Sequence, residues 1–241
     1  MLRLSLEAPF AACRTFTAGW YRPTATFLTP SAVYGLLLNV AGVESRLPEE
    51  DSRHDGKVPA SLTVSGLPTA RIALGVPTRD GILALPTVQT LFQQLHNYPV
   101  GAQSGVPAKL AMGNKNNIAP VRREVLCGVH AKVFVDGNAD LEGRVLRGLQ
   151  GGFNEDRYGL PFIGDNQFLI DRLRESPEGE EAFWYTRVGC DSAVGPRPNT
   201  TRLTIWIDRA DMSRTISDLY APTEVATLEP PEDAWTTITP P

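Results

Sequence analysis

Cysteine, histidine and long apolar runs are scarce in this 241-residue chain, and each scarcity removes a class of function. The three cysteines, Cys13, Cys127 and Cys190, lie far apart with no Cys-x-x-Cys spacing, which argues against a disulfide framework and against a zinc site. They read as small apolar residues of a protein made for the reducing cytoplasm. The three histidines, His54, His96 and His130, are too dispersed to suggest a metal cluster, and no cofactor is expected. No window approaches the ~20 consecutive apolar residues of a membrane span. The stretch from Val33 to Val43 is broken by Gly35 and Asn39. Met1 to Glu7 alternates polar and apolar residues, as a strand does and a signal peptide does not. The phosphate loop Gly-x-x-x-x-Gly-Lys-Ser/Thr is missing, as are Gly-x-Gly-x-x-Gly, Gly-x-Ser-x-Gly and His-Glu-x-x-His. Nucleotide hydrolysis, dinucleotide redox chemistry and zinc proteolysis thus lose their usual signatures.

What is present is an uneven charge. Acidic side chains outnumber basic ones by 27 to 23, for a net charge of -4, a poor sign of nucleic-acid binding in a uniformly charged chain. Residues 1–60, however, hold six basic and six acidic side chains, residues 61–134 seven and two, and residues 135–241 ten and nineteen. Between Gly81 and Arg123 there is no acidic residue, while Lys109, Lys115 and Arg122 stand among amides and glycines. That segment offers a polyanion one welcoming surface, unless the middle and end charges pair with each other across the fold.

Leu2, Leu4 and Leu6 alternate with Arg3, Ser5 and Glu7, a half-buried strand that Pro9 closes. Thr29-Pro30-Ser31 places a capping hydroxyl and a first-turn proline ahead of a short, mostly buried helix that runs to Ala41, with Gly42 after it. Free N–H groups at that helix start attract phosphate, with Arg14 and Arg22 nearby; a simple capped helix is the other reading. Tyr21, Trp20 and Tyr34 serve equally as core aromatics. Strands are expected at 70–76 and 82–88. From Asn97 to Pro120 prolines, glycines, amides and lysines replace any regular period, which implies a long excursion from the core. His96, beside Asn97 and Tyr98 at its mouth, can stack on a base or hydrogen-bond a phosphate. Val125 to Val135 is the cleanest strand pattern, and Asn138 then caps a helix with Leu141, Val145, Leu146 and Leu149 on one face. A short helix at 168–174 and strands at 182–188 and 202–208 follow. The segment 219–241, with five prolines, four acids and no basic residue, reads as disordered unless something pins it, a partner being one explanation.

Strand, helix, strand, strand, helix, strand is the order of an α+β ferredoxin-like, RRM-like βαββαβ core, here with additional C-terminal strands. RNA-recognition modules use the helix-free face of such a sheet to hold single strands. The expected organisation is a ferredoxin-like RNA-binding domain at 1–155 that includes the excursion at about 97–120, a β-rich extension at 156–218, and a Pro-rich acidic tail at 219–241.

Two segments carry a family resemblance. Ala8-Pro9-Phe10-Ala11-Ala12-Cys13-Arg14 with Thr29-Pro30-Ser31-Ala32-Val33-Tyr34-Gly35-Leu36-Leu37-Leu38-Asn39-Val40-Ala41-Gly42 resembles the start of the fifth family of CRISPR-associated (Cas) proteins. Gly159-Leu160-Pro161-Phe162-Ile163-Gly164-Asp165-Asn166-Gln167-Phe168-Leu169-Ile170-Asp171 resembles its Myxan-type branch. The likeness extends from Met1 to about Asp208. It implies a fold of the RAMP superfamily with a long β-hairpin thumb, which the 97–120 excursion matches in position and charge. It implies a subunit of a type I Cascade, of the I-B kind or a close relative. Such a subunit holds the 5′ handle of the CRISPR RNA (crRNA) and caps the backbone filament, so its partners are the crRNA, the backbone subunit, the large subunit and target DNA close by, with no membrane. In that picture Lys109, Lys115, Arg122 and Arg123 neutralise handle phosphates, Arg14, Ser31 and Tyr34 contact the RNA where it crosses the first helix, and Tyr21, Arg22, His96, Tyr98 and Asn116 are further RNA-binding residues. Some relatives are metal-independent endoribonucleases in which a lysine directly precedes the histidine. Here His54, His96 and His130 follow Arg53, Leu95 and Val129, so a non-catalytic subunit is expected. The alternative is a guide-processing nuclease with His96 as proton shuttle and Tyr98 or Lys109 assisting.

Overall fold

A computed structural model describes residues 1–15, 21–47, 62–99, 116–153, 159–189 and 197–240, with the backbone alone at 95–99 and 116–119. Within these residues the protein is α+β, with a mostly antiparallel sheet and two α-helices. In chain order come β1 (Leu2–Ala11), β2 (Tyr21–Arg22), α1 (Pro30–Val40), β3 (Ala70–Pro77), β4 (Thr87–Pro99), β5 (Asn116–Asp136) and α2 (Ala139–Leu149). They are followed by β6 (Arg172–Glu175), β7 (Ala182–Arg187), β8 (Thr201–Trp206), β9 (Ile216–Pro222) and β10 (Thr236–Ile238). The strand order is β6-β1-β5-β3-β7-β9-β8, with β10 on β3 and with β2 and β4 on β5.

β5 is the spine. Its C-terminal half pairs with β1 from Leu126 to Val135 and with β3 from Lys132 to Asp136. Its N-terminal half pairs with β4 from Asn116 to Cys127 and, over Arg122 and Arg123, with β2. Leu2, Leu4, Leu6 and Ala8 enter the same core as their partners Val135, Val133, Ala131 and Val129. Ala11 and its partner Leu126 enter it too, three residues further on. That break in the period of two coincides with the positive φ of Gly128, +69°, which glycine adopts at no steric cost. Beyond it β4 and β5 run on as a two-stranded arm. Among the described residues the second edge of β4 is unpaired, and residues 87–95 carry no charge.

α1 is buried along most of its length because Val33, Tyr34, Leu36, Leu37, Leu38 and Val40 all point into the core. Thr29 accepts the Ala32 N–H at 3.3 Å and closes its first turn. α2 starts at Asn138, whose side chain accepts the Leu141 N–H at 3.0 Å, and buries only Leu141, Val145 and Gly148. The two helices meet backbone to backbone: a Cβ on Gly148 would lie 1.9 Å from the Val40 carbonyl oxygen.

Four expectations change. Pro9 does not close β1, which runs on to Ala11 with Phe10 opposite Cys127 and Ala11 opposite Leu126. The 168–174 segment is not a helix but a turn leading into β6, an edge strand along β1. The strand expected at 82–88 starts instead at Thr87, because 82–86 has no partner strand beyond the Arg79–Ile82 bridge. The tail is ordered by the chain itself: β10 pairs with β3 and Ile238 is fully buried. Tyr220 and Thr236 hydroxyls meet at 2.7 Å, Arg3 pairs with Glu229 at 2.6 Å and Arg71 with Glu232 at 2.7 Å. The tail also covers part of the helix-free face. There Ala73, Phe134, Ala182, Trp184 and Ala234 form a second core with Trp235 packed against it, so this region is not open for a strand of RNA.

Gly148→Ala should force α1 and α2 apart. The expected loss is about 1–3 kcal/mol, read as a lower urea midpoint with unchanged slope, even though alanine is the better helix former.

Candidate nucleic-acid interface

The base of the arm gathers exposed aromatic and cationic side chains. Register sets Tyr21 of β2 beside Arg122 of β5, and Arg122 opposite Phe92 of β4, so one row crosses three strands on one face. The Arg122 guanidinium carbon lies 5.8 Å from the centroid of each ring. Phe92 is 76% exposed and Tyr21 45% exposed. Among the described residues no carboxylate makes an ion pair with Arg122. The acid two residues along, Glu124, is occupied: it accepts the Tyr21 hydroxyl and, at 3.0 Å, the Thr24 N–H. That bond to Glu124 is also the main reason the Tyr21 phenol titrates above its usual value. An unpaired arginine held between two accessible rings is a platform on which bases stack and phosphates are neutralised.

On the opposite face the neighbouring Arg123 is 2% exposed. It donates to Asp165 at 2.6 Å, to Gln93 at 3.0 Å and to Gln167 at 2.9 Å, and its guanidinium carbon stands 5.0 Å from the Phe168 ring. Arg14, half exposed, reaches the same Asp165 oxygen at 3.0 Å. Burial raises the Asp165 pKa, but the Gln167 N–H, the bond from Arg123 and the charges of Arg123 and Arg14 outweigh it and leave the carboxyl below its usual value. Arg22 has no ion pair among the described residues. Its pKa is lowered first by burial and then by Arg14 and Arg123, which places three arginines around one carboxylate. The base of the arm is therefore locally electropositive within an acidic protein.

Of the residues expected from the sequence, Arg14, Tyr21, Arg22, Arg122 and Arg123 come together here. Arg123 is a correction, since it is buried and both its terminal nitrogens donate within the protein, to Gln93, Gln167 and Asp165. Tyr34 is another: it is 2% exposed, its hydroxyl donates to the Pro68 carbonyl at 2.6 Å, and it takes the core-aromatic reading. Ser31 is half-buried against the Thr29 hydroxyl at 3.2 Å. The start of α1 takes the capped-helix reading: Thr29 and Pro30 are buried and the Ala32 and Val33 N–H groups bond to Thr29. His96, Tyr98 and Asn116 lie on the arm's strands by backbone, with side chains outside the described residues, as are Lys109 and Lys115 altogether. Sequence reasoning missed Phe92, Gln93, Asp165, Gln167 and Phe168. The signal for Phe92 was its place in the acid-free stretch, one strand across from Arg122.

Charge pairing across the fold occurs as well. Arg71 with Glu232, Arg123 with Asp165 and Lys132 with Glu180 join the middle of the chain to its acidic last third. Among the described cations of the middle of the chain, Arg79 and Arg122 have no such ion pair. Among the described residues there is no cluster of three metal-ligating side chains, and no helix is long and apolar enough to cross a membrane.

A CRISPR-associated protein Cas5 of Myxococcus xanthus (strain DK1622) is 24% identical to this chain over 214 residues, covering 86% of this chain and 83% of that one. The chain is similar to Cas5. The family resemblance seen in its two sequence segments is borne out by that relative. A chain of a solved structure described as a CRISPR RNA-guided surveillance complex shares the fold, with a TM-score of 0.51, 14% identity, and 97% of this chain and 95% of that one covered. A structure described as a Cas protein aligns with a TM-score of 0.41 at 15% identity, over 93% of this chain and 94% of that one. No protein-family model matches the sequence.

Asp165→Asn leaves a buried arginine without its counter-ion and should cost about 3 kcal/mol at neutral pH. Because the folded-state pKa of Asp165 is depressed, its contribution is fully present above the unfolded value near ~3.9 and is lost as pH falls through the folded value. Urea titrations of both proteins should therefore differ most above about pH 5 and converge at lower pH.

Proposed function

We propose that this chain is a non-catalytic, RNA-binding subunit of a type I CRISPR effector complex, of the I-B kind, that holds the 5′ handle of crRNA. In this reading it caps the backbone filament beside the large subunit, in the cytoplasm, with target DNA close by. The observation that carries the reading is the Tyr21–Arg122–Phe92 row: an uncompensated cation between two exposed rings, at the root of an arm whose other strand lacks charge. In this reading Arg122, Arg22 and Arg14 meet phosphates, Tyr21 and Phe92 stack on bases, and His96, Tyr98, Lys109, Lys115 and Asn116 are further RNA-binding residues. The similarity to Cas5 and the fold shared with a chain of a surveillance complex support it.

The core supports it as well. Counting only the strands joined through α1 and α2, the order β6-β1-β5-β3 is fourth, first, third, second, with antiparallel neighbours throughout. This is the order of a ferredoxin-like unit, and we assign the core to that class, within the RAMP superfamily, with β4 and β5 as its thumb.

Arg122→Ala with Phe92→Ala should weaken repeat-RNA binding at least tenfold. The arginine alone should lower the slope of log K against log salt by about 0.7, the loss of one single-strand phosphate contact. Unchanged affinity and slope would refute the assignment. A second expectation concerns chemistry: purified protein incubated with repeat RNA in EDTA should leave it intact, and specific cleavage would establish the nuclease reading instead.

A further inference from the structure

We infer that Arg123 is a positioning residue and that the 159–170 loop is a clamp, closing on Arg123 to fix the angle at which the β4–β5 arm leaves the core. The inference assigns a role to the motif Gly159 to Asp171, which the handle-binding proposal leaves unused, and its effect on RNA rests on that proposal.

The need for a clamp follows from the sheet. Past Ala11, where β1 ends, the described part of the arm has for support only the two residues of β2, and a two-stranded ribbon twists and bends readily. Two residues before that point, on β5, stands Gly128, with φ of +69° and nothing within 4 Å of where a Cβ would be. Pairing alone therefore leaves the arm hinged.

The loop holds it from both sides. At the arm, Asp165 and Gln167 accept from Arg123 of β5 at 2.6 and 2.9 Å, and Phe168 lies 5.0 Å from its guanidinium carbon. Gln93 of β4 accepts from Arg123 at 3.0 Å and donates to Gln167 at 2.9 Å, so both strands are tied to the loop. At the core, Ile163 is fully buried and the Asp171 N–H bonds to the Glu7 carbonyl of β1 at 3.0 Å. Gly164, with φ of +78°, presses so closely on β1's continuation that a Cβ would sit 2.3 Å from the Ala12 carbonyl oxygen. The loop is bolted to the core on both sides, at Ile163 with Gly164 and at Asp171, and grips the arm with the residues between.

Arg123 thus acts on RNA through the arm and not by touching it. An arm free to sample about ten comparable orientations binds about tenfold more weakly, because only the competent fraction of molecules binds. The phosphate contacts themselves are unchanged, so the salt slope stays the same.

The test measures the arm first. Spin labels at exposed Gln94 and Glu224 of the full chain, with Cys127 and Cys190 replaced by serine, should give one narrow distance distribution by pulsed dipolar spectroscopy. Asp165→Asn with Gln167→Ala should broaden it. Should the pair compromise folding, Gln167→Ala alone keeps the ion pair and should still broaden the distribution, while Gln167→Glu, which retains the acceptor, should restore it. A narrow, unshifted distribution in the folded clamp variants overturns the inference. With repeat RNA, Arg123→Ala should weaken binding about tenfold at unchanged salt slope, whereas Arg122→Ala lowers the slope; equal slope losses would make Arg123 a direct contact and overturn it too. If no variant nor the parent binds RNA, the handle-binding proposal fails, and the distance measurement still decides the clamp.

Discussion

The exposed and the sealed face at the base of the arm both depend on one strand being longer than the core it belongs to. β5 is hydrogen-bonded along 21 residues, but only its C-terminal half has helices above it. There Val129, Ala131, Val133 and Val135 can be apolar because α1 and the leucines of β1 remove them from water. The N-terminal half has no such cover, so its side chains must be satisfied by other means. One face is closed by a loop with an ion pair, and the other is left as rings and guanidinium.

This division explains how an acidic chain keeps one basic surface. Positive charge from the middle of the sequence is spent inside the fold wherever it faces the acidic C-terminal third: Arg71 on the tail, Lys132 on Glu180 and Arg123 on Asp165. What remains at the root of the arm is the charge for which no acid is in reach. Arg22, crowded by Arg14 and Arg123, shows how far the local balance departs from that of the chain as a whole.

Legibility in the sequence tracked how local the deciding interaction was. The alternation of Leu2, Leu4 and Leu6, the Thr29-Pro30 helix start and the Asn138 cap depend on neighbours within a turn, and all three appear where the pattern places them. The tail did not read correctly because what orders it is a strand of the core some 160 residues earlier: Ile238 pairs with Ala70, and Glu232 with Arg71. Arg122 and Arg123 make the same point most sharply. Period two already puts adjacent arginines on opposite faces, but which face is sealed depends on Asp165 and Gln167, forty residues away in sequence and without any periodic signal. For the same reason the candidate site was half legible: its cations were, its aromatic partner Phe92 and its sealing loop were not.

That one side of β4 is unpaired among the described residues has a practical meaning for anyone handling the isolated chain. Natural proteins usually blunt such an edge with lysines or proline, and residues 87–95 contain neither. The backbone amides and carbonyls along that border are a ready template for another extended segment, and Val88, Leu91 and Phe92 are exposed beside them. Concentrated solutions of the polypeptide on its own are thereby prone to zip into ribbons, and keeping it dispersed is a matter of giving that seam something to wear.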